Sequence, residues 1–229
     1  LNPYIDYFII ANKLADQKRY LNFGPVHLIQ NFPIKKSAYN QLDFTMPYKL
    51  IYHGQLDFNR GIITLIDAFN DLSKKYGQLK LKIIGESRIK EFENTIKTKI
   101  QDSKNIELIG PIPHDDIWDI LFESHIGIIP FHDIQIFNKN TPTKLFEFMQ
   151  TNCGVISSHL PPIYEFAPNS ISFSKAGDKK SLLNAIEFYL KNIDIYKQHV
   201  EHNQKLIKEK FNWSNEREKI LFLYEQILS

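Results

Sequence analysis

The sequence predicts an α/β domain organised on a doubly wound parallel sheet, and three observations carry that prediction. Short apolar runs alternate with longer amphipathic segments, the pattern of βαβ units joined by right-handed crossovers. The run Ile126 to Pro130 (IGIIP) is apolar throughout, as in a strand buried on both faces. Polar loops at 54–60, 85–88, 110–113 and 131–141 follow strand ends, which places them on one rim, where ligands of such sheets bind.

Taken in order, Tyr4 to Ile10 reads as a strand, Ala11 to Leu21 as a helix and Val26 to Ile29 as a strand that Asn31-Phe32-Pro33 ends, because proline cannot continue a ladder. Ile34 to Pro47 has no period and reads as a linker. Lys49 to His53 is a strand, and Gly61 to Tyr76 an amphipathic helix with Ile62, Leu65, Ile66, Phe69 and Leu72 on one face. Strands follow at Leu79 to Ile84, Ile106 to Ile109 and Ile126 to Pro130, with helices at Ile89 to Ile100 and His114 to Ser124 between them. A helix is expected to begin at Pro142, with Thr141 as its N-cap and Leu145, Phe146 and Met149 on its apolar face. Beyond it the pattern gives a strand at Gly154 to Ser157, a helical turn at Pro162 to Phe166, a strand at Ser170 to Phe173, and helices at Lys179 to Lys191, Asp194 to Phe211 and Ser214 to Leu228.

The composition narrows the function classes. A length of 229 residues, 43% hydrophobic and 24% charged, suits a soluble globular chain with a sizeable core. The 28 basic against 26 acidic residues give a net charge of +2, so no electrostatic case for nucleic acid exists. The single cysteine, Cys153, excludes an internal disulfide and any multi-cysteine metal site, and fits a reducing compartment. No run has the length of a membrane span, and the start at Leu1, inside an apolar run, suggests a piece of a longer protein.

Two helix starts carry cations where the helix dipole disfavours them. Arg60 stands at the end of the loop Gly54 to Gly61, whose terminal glycines allow close backbone approach; Lys139 and Lys144 flank the expected start at Pro142. An anion such as a phosphate would resolve both conflicts, and one diphosphate could bridge them. Glu147, one turn further in, suits a sugar hydroxyl pair. Each feature has a plainer reading: an exposed Arg60 paired with Asp57, and a solvated surface helix with ordinary caps. The dinucleotide glycine fingerprint and the phosphate loop are both absent. His132 and Asp133 lie on the rim; His199 and His202, at i and i+3, read either as a weak metal pair or as a solvated face; Cys153 reads as a small buried residue. Asp115 and Asp116 are explained as helix caps, and Trp118 and Trp213 as core.

The segments YHGQLDFNRGIITLIDAF, KLKIIGE, NIELIGPIPHDDIWDILFESHIGIIPF, TPTKLFEFMQTNCGVISS and FNWSNEREKILFLYEQIL, in that order, resemble the carboxyl-terminal domain of group 1 (family 4) glycosyltransferases. These are retaining enzymes of the two-domain GT-B architecture, and the resemblance covers about Tyr48 to Leu228. It implies a Rossmann-like half of that architecture: residues 1–34 a remnant of the N-terminal acceptor domain, 35–47 a linker, 48–192 the nucleotide-sugar-binding α/β domain and 193–229 C-terminal helices. Position by position, Arg60 matches a basic residue that binds the donor diphosphate, and Glu147 the second glutamate of the Glu-x7-Glu motif, which holds the ribose hydroxyls. Thr141 to Leu145 matches a phosphate-contacting turn, and Gly110 to Pro113 the place where backbone meets the base. The chain departs from the family at Gln55, where many members carry a second basic residue, and at Lys139, the place of the first glutamate. With that carboxylate gone, contact with the sugar could pass to Asp133 or another loop residue.

The resemblance thus implies transfer of a sugar from a nucleotide diphosphate sugar with retention, without a cofactor or an obligatory metal. Arg60 and Lys144 would be catalytic, stabilising the departing diphosphate with the helix dipole. The expected substrate-binding set is Gly54, Arg60, Ile112, Lys139, Thr141, Thr143, Lys144, Leu145 and Glu147. Expected partners are the nucleotide sugar, an N-terminal domain and an acceptor of unknown kind, with no nucleic acid and with a peripheral membrane contact in the full-length protein. The expected setting is the bacterial cytoplasm or the inner face of the membrane, in surface polysaccharide or glycoconjugate synthesis. The chain alone is expected to bind nucleotide and transfer little sugar. Two other readings stay open: a sugar-nucleotide epimerase of GT-B layout, and a non-catalytic nucleotide-binding or scaffold module.

Overall fold

The computed structural model describes residues 7–11, 24–36 and 44–228. The helix expected over 11–21, the start of the first strand and most of the expected linker lie outside the described residues. Strands β1 (Phe8–Ile10) and β2 (Val26–Leu28) form a separate two-stranded parallel sheet. The remaining strands are β3 (Tyr48–His53), β4 (Leu79–Ile84), β5 (Ile106–Ile109), β6 (Ile126–Ile129), β7 (Gly154–Ser158) and β8 (Ser172–Ser174). They form one six-stranded sheet, all parallel, in the order β5-β4-β3-β6-β7-β8.

That order reverses direction between β3 and β6, which makes the gap at their carboxyl ends the topological switch point of a Rossmann-like sheet. β6 is apolar throughout because both sheet faces are covered there, with Ile126, Ile128 and Ile129 fully buried, and Leu50, Ile51 and Tyr52 are buried in β3 beside it. Helix α1 (Ile62–Lys75) turns Ile62, Leu65, Ile66, Phe69 and Leu72 inward, each fully buried and each stabilising by about 1.5–3 kcal/mol. α1 packs against α6 (Lys179–Lys191), and α2 (Lys90–Ile100) lies beside it.

On the other side run α3 (Ile117–Phe122), α4 (Lys144–Met149), α5 (Pro161–Phe166) and α7 (Ile193–Glu209), with α4 packed between β7 and α7. Helix α8 (Trp213–Leu228) returns to the first residues: its Glu216 Oε2 accepts from the Gln30 amide at 2.8 Å, and the Trp213 amide donates to the Pro33 carbonyl at 2.9 Å. Phe32 seats this segment against the core, 4.8 Å from Phe146 and 5.3 Å from Phe211.

Two helices depart from expectation. α3 spans only Ile117–Phe122 instead of His114 to Ser124, because residues 114–116 form a turn in which the Asp116 amide donates to Pro113. α4 begins at Lys144, not at Pro142. Thr143 takes the N-cap place that Thr141 was expected to hold, without a side-chain cap bond, and the Pro142 carbonyl accepts from Leu145 in a tight i to i+3 step. Nor is α4 a solvated surface helix, since all its residues are buried. Among the described residues, no helix is long and apolar enough to cross a membrane.

Candidate functional site

The carboxyl end of β3 sets the geometry. His53 is the last strand residue, and Gly54 turns the chain at φ 111°, where a Cβ would come within 2.9 Å of Lys144 Nζ. The loop then reaches a short 3-10 turn, Phe58–Arg60, capped by Asp57, whose Oδ1 accepts from the Arg60 amide at 3.0 Å. Gly61 follows at φ 70° against the Pro130 carbonyl, so close that a Cβ would lie 1.8 Å from its oxygen; this contact seals the turn onto the end of β6.

Arg60 is both paired and placed. Its Nε lies 3.2 Å from Asp57 Oδ2, the plainer of the two readings, yet its guanidinium is not simply in solvent. It stands over the rings of Phe131 and Phe137, 5.3 and 5.8 Å from their centres, in the loop that follows β6.

Lys144 is 6% exposed. Its Nζ donates to the His53 carbonyl and lies 4.2 Å from the centre of the Tyr52 ring and 5.2 Å from that of Phe131. Among the described residues, no carboxylate forms an ion pair with it. Burial, with Arg60 adding to it, brings its pKa down to about 7. The structure thus keeps a lysine at the first position of a buried turn, close enough to Arg60 for that charge to disfavour its protonated form.

Glu147 sits one turn further in and is 7% exposed. Its Oε1 is 3.1 Å from His114 Nε2, and its Oε2 is 3.1 Å from His53 Nε2 but off the hydrogen-bonding direction, so neither of those last two atoms has an aligned partner. Burial alone would raise the carboxyl pKa; His53 foremost, then His114, more than offset this and hold it below the usual carboxylate range. Burial likewise pushes His53 below the usual imidazole range despite the pull of Glu147.

Beside these groups lies an open cavity of about 290 Å³, lined by His53, Gly54, Gln55, Ile112 and His114 among others, with Glu86 and Arg88 at the end of β4. A second cavity of about 440 Å³ adjoins it, sharing His114 and reaching Glu147, Thr143, Trp118, Lys36 and Trp213.

The structure therefore brings together Gly54, Arg60, Lys144, Glu147 and Ile112, and puts Thr143 at the second cavity. Three other expected residues stand apart. Leu145 is fully buried in the core, as its place on the apolar face of α4 requires, with its amide donated to the Pro142 carbonyl. Lys139 is exposed on the turn before α4 and Thr141 is half-buried; neither lines the two cavities. His132 and Asp133 also do not: the His132 ring packs on Phe58, and Asp133 accepts from the side chain of Asn138. Cys153 is fully buried with its pKa pushed up to about 12 by burial, an inert thiol. His199 does not lie on a fully solvated face: it is half-buried, with its Nδ1 2.9 Å from the buried hydroxyl of Tyr189. Although two imidazoles meet Glu147, no group of His, Cys, Asp and Glu able to hold a metal ion occurs among the described residues.

His53 and His114 are the residues that sequence reasoning passed over. Both lie where strands end on the predicted rim, which was the available signal.

Comparison with known proteins bears on this geometry. The family model described as glycosyl transferases group 1 matches residues 34–213. One subunit of human phosphatidylinositol N-acetylglucosaminyltransferase is 23% identical over 206 residues, covering 83% of this chain and 40% of the human protein. Among solved structures, a glycosyltransferase from Rickettsia africae superposes with a TM-score of 0.76 at 16% identity, covering 98% of this chain and 64% of that one. Anabaena HepE, solved with UDP and glucose, gives a TM-score of 0.75 at 13% identity, covering 95% of this chain and 62% of that one. These likenesses match the Rossmann-like sheet to glycosyltransferases of GT-B fold, and the chain spans less than two thirds of each.

Proposed function

This chain belongs to the group 1 glycosyl transferases, and from that premise we propose that it is the donor-binding half of an enzyme that moves a sugar from a nucleotide diphosphate sugar to an acceptor with retention. The observation that carries the reading is the meeting of Lys144, Arg60 and Glu147 at the switch point, beside the cavity that Gly54 and Ile112 line. Two basic side chains side by side, Lys144 desolvated to a pKa of about 7 and without a carboxylate partner among the described residues, Arg60 paired with Asp57, fit a diphosphate. Glu147, kept ionised, accepts from ribose hydroxyls, and the apolar wall at Ile112 receives the base. During transfer Arg60 and Lys144 stabilise the charge that develops on the departing diphosphate, without an obligatory metal and with no other cofactor.

The chain spans 40% of the human relative and 64% of the Rickettsia africae glycosyltransferase, and we infer that most of the acceptor side lies in the part not spanned, so that the 229-residue chain binds nucleotide and turns over little sugar. Surface polysaccharide or glycoconjugate synthesis, in the bacterial cytoplasm or at the inner membrane face, is the setting we assign. The names of the relatives make N-acetylglucosamine and glucose the first sugars to try. Thermal melting with UDP, GDP, ADP and CMP, then with the matching sugar nucleotides, tests the reading: ligand at about 100 times Kd adds about 2.7 kcal/mol to stability. No shift with any of them would favour a non-catalytic module instead.

A further inference from the structure

Two imidazoles meet Glu147, and they differ in kind: His53 lies against Oε2 at 3.1 Å out of hydrogen-bonding alignment, and His114 is hydrogen-bonded to Oε1. His53 ends β3, its side chain is 12% exposed, its ring stands edge-on to Phe148 at 5.1 Å, and its carbonyl is tied to Lys144. It cannot leave without disturbing a strand end. His114 stands on the loop after β5, its side chain is 68% exposed, and its other contact is an edge-on approach to Trp118 at 5.8 Å. It can leave at the cost of one hydrogen bond, the one its Nε2 gives to Glu147 Oε1 at 3.1 Å. Glu147 Oε2 is buried against His53 without an aligned partner, and Oε1 is the oxygen to which His114 already donates, so a hydroxyl pair reaching the carboxylate competes with that imidazole.

We propose that His53 permanently positions the Glu147 carboxylate, while His114 occupies the place of a ribose hydroxyl and gives it up when nucleotide enters. The proposal rests on Glu147 being the ribose holder. His114 lines both cavities, so the larger one, with Trp118 and Asp115 on its wall, gives the displaced ring somewhere to go. The exchange makes His114 a specificity determinant: a ligand with a ribose diol replaces the lost hydrogen bond, and a ligand without one does not.

The test is calorimetric titration of the 229-residue chain with UDP, or whichever diphosphate shifts its melting most, and with the 2′,3′-dideoxy form of the same nucleotide. Removing the competing imidazole in His114→Ala should tighten ribonucleotide binding about three- to tenfold. It should leave the dideoxy ligand unchanged, and bring no gain when Glu147→Gln is also present. The imidazole NMR signals of His114 should move on adding the ribonucleotide and stay on adding the dideoxy form. Wild-type binding with His114→Ala unchanged or weaker overturns the exchange alone. Undiminished binding by Glu147→Gln overturns the ribose reading beneath it, and a wild-type chain that binds no nucleotide overturns both.

Discussion

Lys144 donates from its amine to the carbonyl of His53, tying the first turn of α4 to the last residue of β3 across the switch point. The amine is desolvated there, with a pKa of about 7 against an ordinary value of 10.5. Between those values the unfolded chain binds a proton that the folded chain does not, so stability should rise with pH across that window, by at most about 1.4 kcal/mol per pH unit. Below the window the buried charge is present and its cost is complete; above it both states are neutral. Urea unfolding at pH 6.5, 8 and 9.5 checks this. Lys144→Met should flatten the rise, and a wild-type profile already flat would mean that the amine is solvated.

The same amine predicts proton uptake on binding. At about pH 8 it is mostly neutral in the free chain, and a diphosphate beside it favours the charged form. Titrating UDP in two buffers of different ionisation enthalpy should show a substantial fraction of a proton taken up near pH 8, and less near pH 6. In Lys144→Met the uptake should vanish and affinity should fall by roughly ten- to a hundredfold, the size of a lost charge-assisted contact.

Much of this was legible in the chain itself. The sheet strands from β3 onward and the buried face of α1 follow from apolar periodicity, which packing rewards directly, and the rim follows from the strand ends. The start of α4 was misplaced because Thr141-Pro142 is a good local cap signal, whereas the real start is set by the i to i+3 step at Pro142 and by Lys144 reaching His53, a contact across 91 positions of sequence. Glu147 lines the second cavity and Lys144 reaches the His53 carbonyl, whereas Leu145, on the apolar face of the same turn, enters the core. The imidazole clamp on Glu147 was invisible for the same reason: His53 and His114 are far from Glu147 in sequence, and only the parallel order of β3, β4 and β5 brings their carboxyl ends together.

Glu147→Ala tests the carboxylate itself. It should weaken nucleotide binding about tenfold or more, since a carboxylate holding hydroxyls contributes about 1.5–3 kcal/mol. The fold should survive at a cost of about 1–3 kcal/mol, because the exposed His114 can turn to water while the buried His53 loses the carboxylate beside it. Far-UV circular dichroism verifies the fold, and calorimetry reads the affinity. Unchanged affinity for every nucleotide would remove Glu147 from the site.

Cation support is expected to come from Lys144 and Arg60 alone. Adding EDTA, or adding magnesium after it, should therefore change UDP affinity by less than about threefold, within the scatter of weak electrostatic effects. A larger loss on chelation, restored by magnesium, would assign the diphosphate a metal partner and reduce the part played by Arg60.

Gly127 links the sheet to the site through one ring. It lies in the middle of β6, and a Cβ there would come within 2.4 Å of Phe148 Cγ, while Phe148 is fully buried and stands edge-on to His53. Neither ring nor strand has free space, so Gly127→Ala should overpack the core and cost roughly 1–3 kcal/mol. Because Phe148 follows Glu147 on α4, the displaced ring should also shift the carboxylate, and nucleotide affinity should fall with stability. Gly77→Ala is the control, since a Cβ there meets nothing within 4 Å, and its effect should stay within about 0.5 kcal/mol. Combining Gly127→Ala with Phe148→Leu returns space to the pair, so the double variant should recover part of the stability that the two single changes lose separately. Urea midpoints for the four variants decide it: strict additivity would mean that Phe148 does not bear on Gly127, and α4 would then be held at the switch point without that contact, by Lys144 and by its packing on β7 and α7.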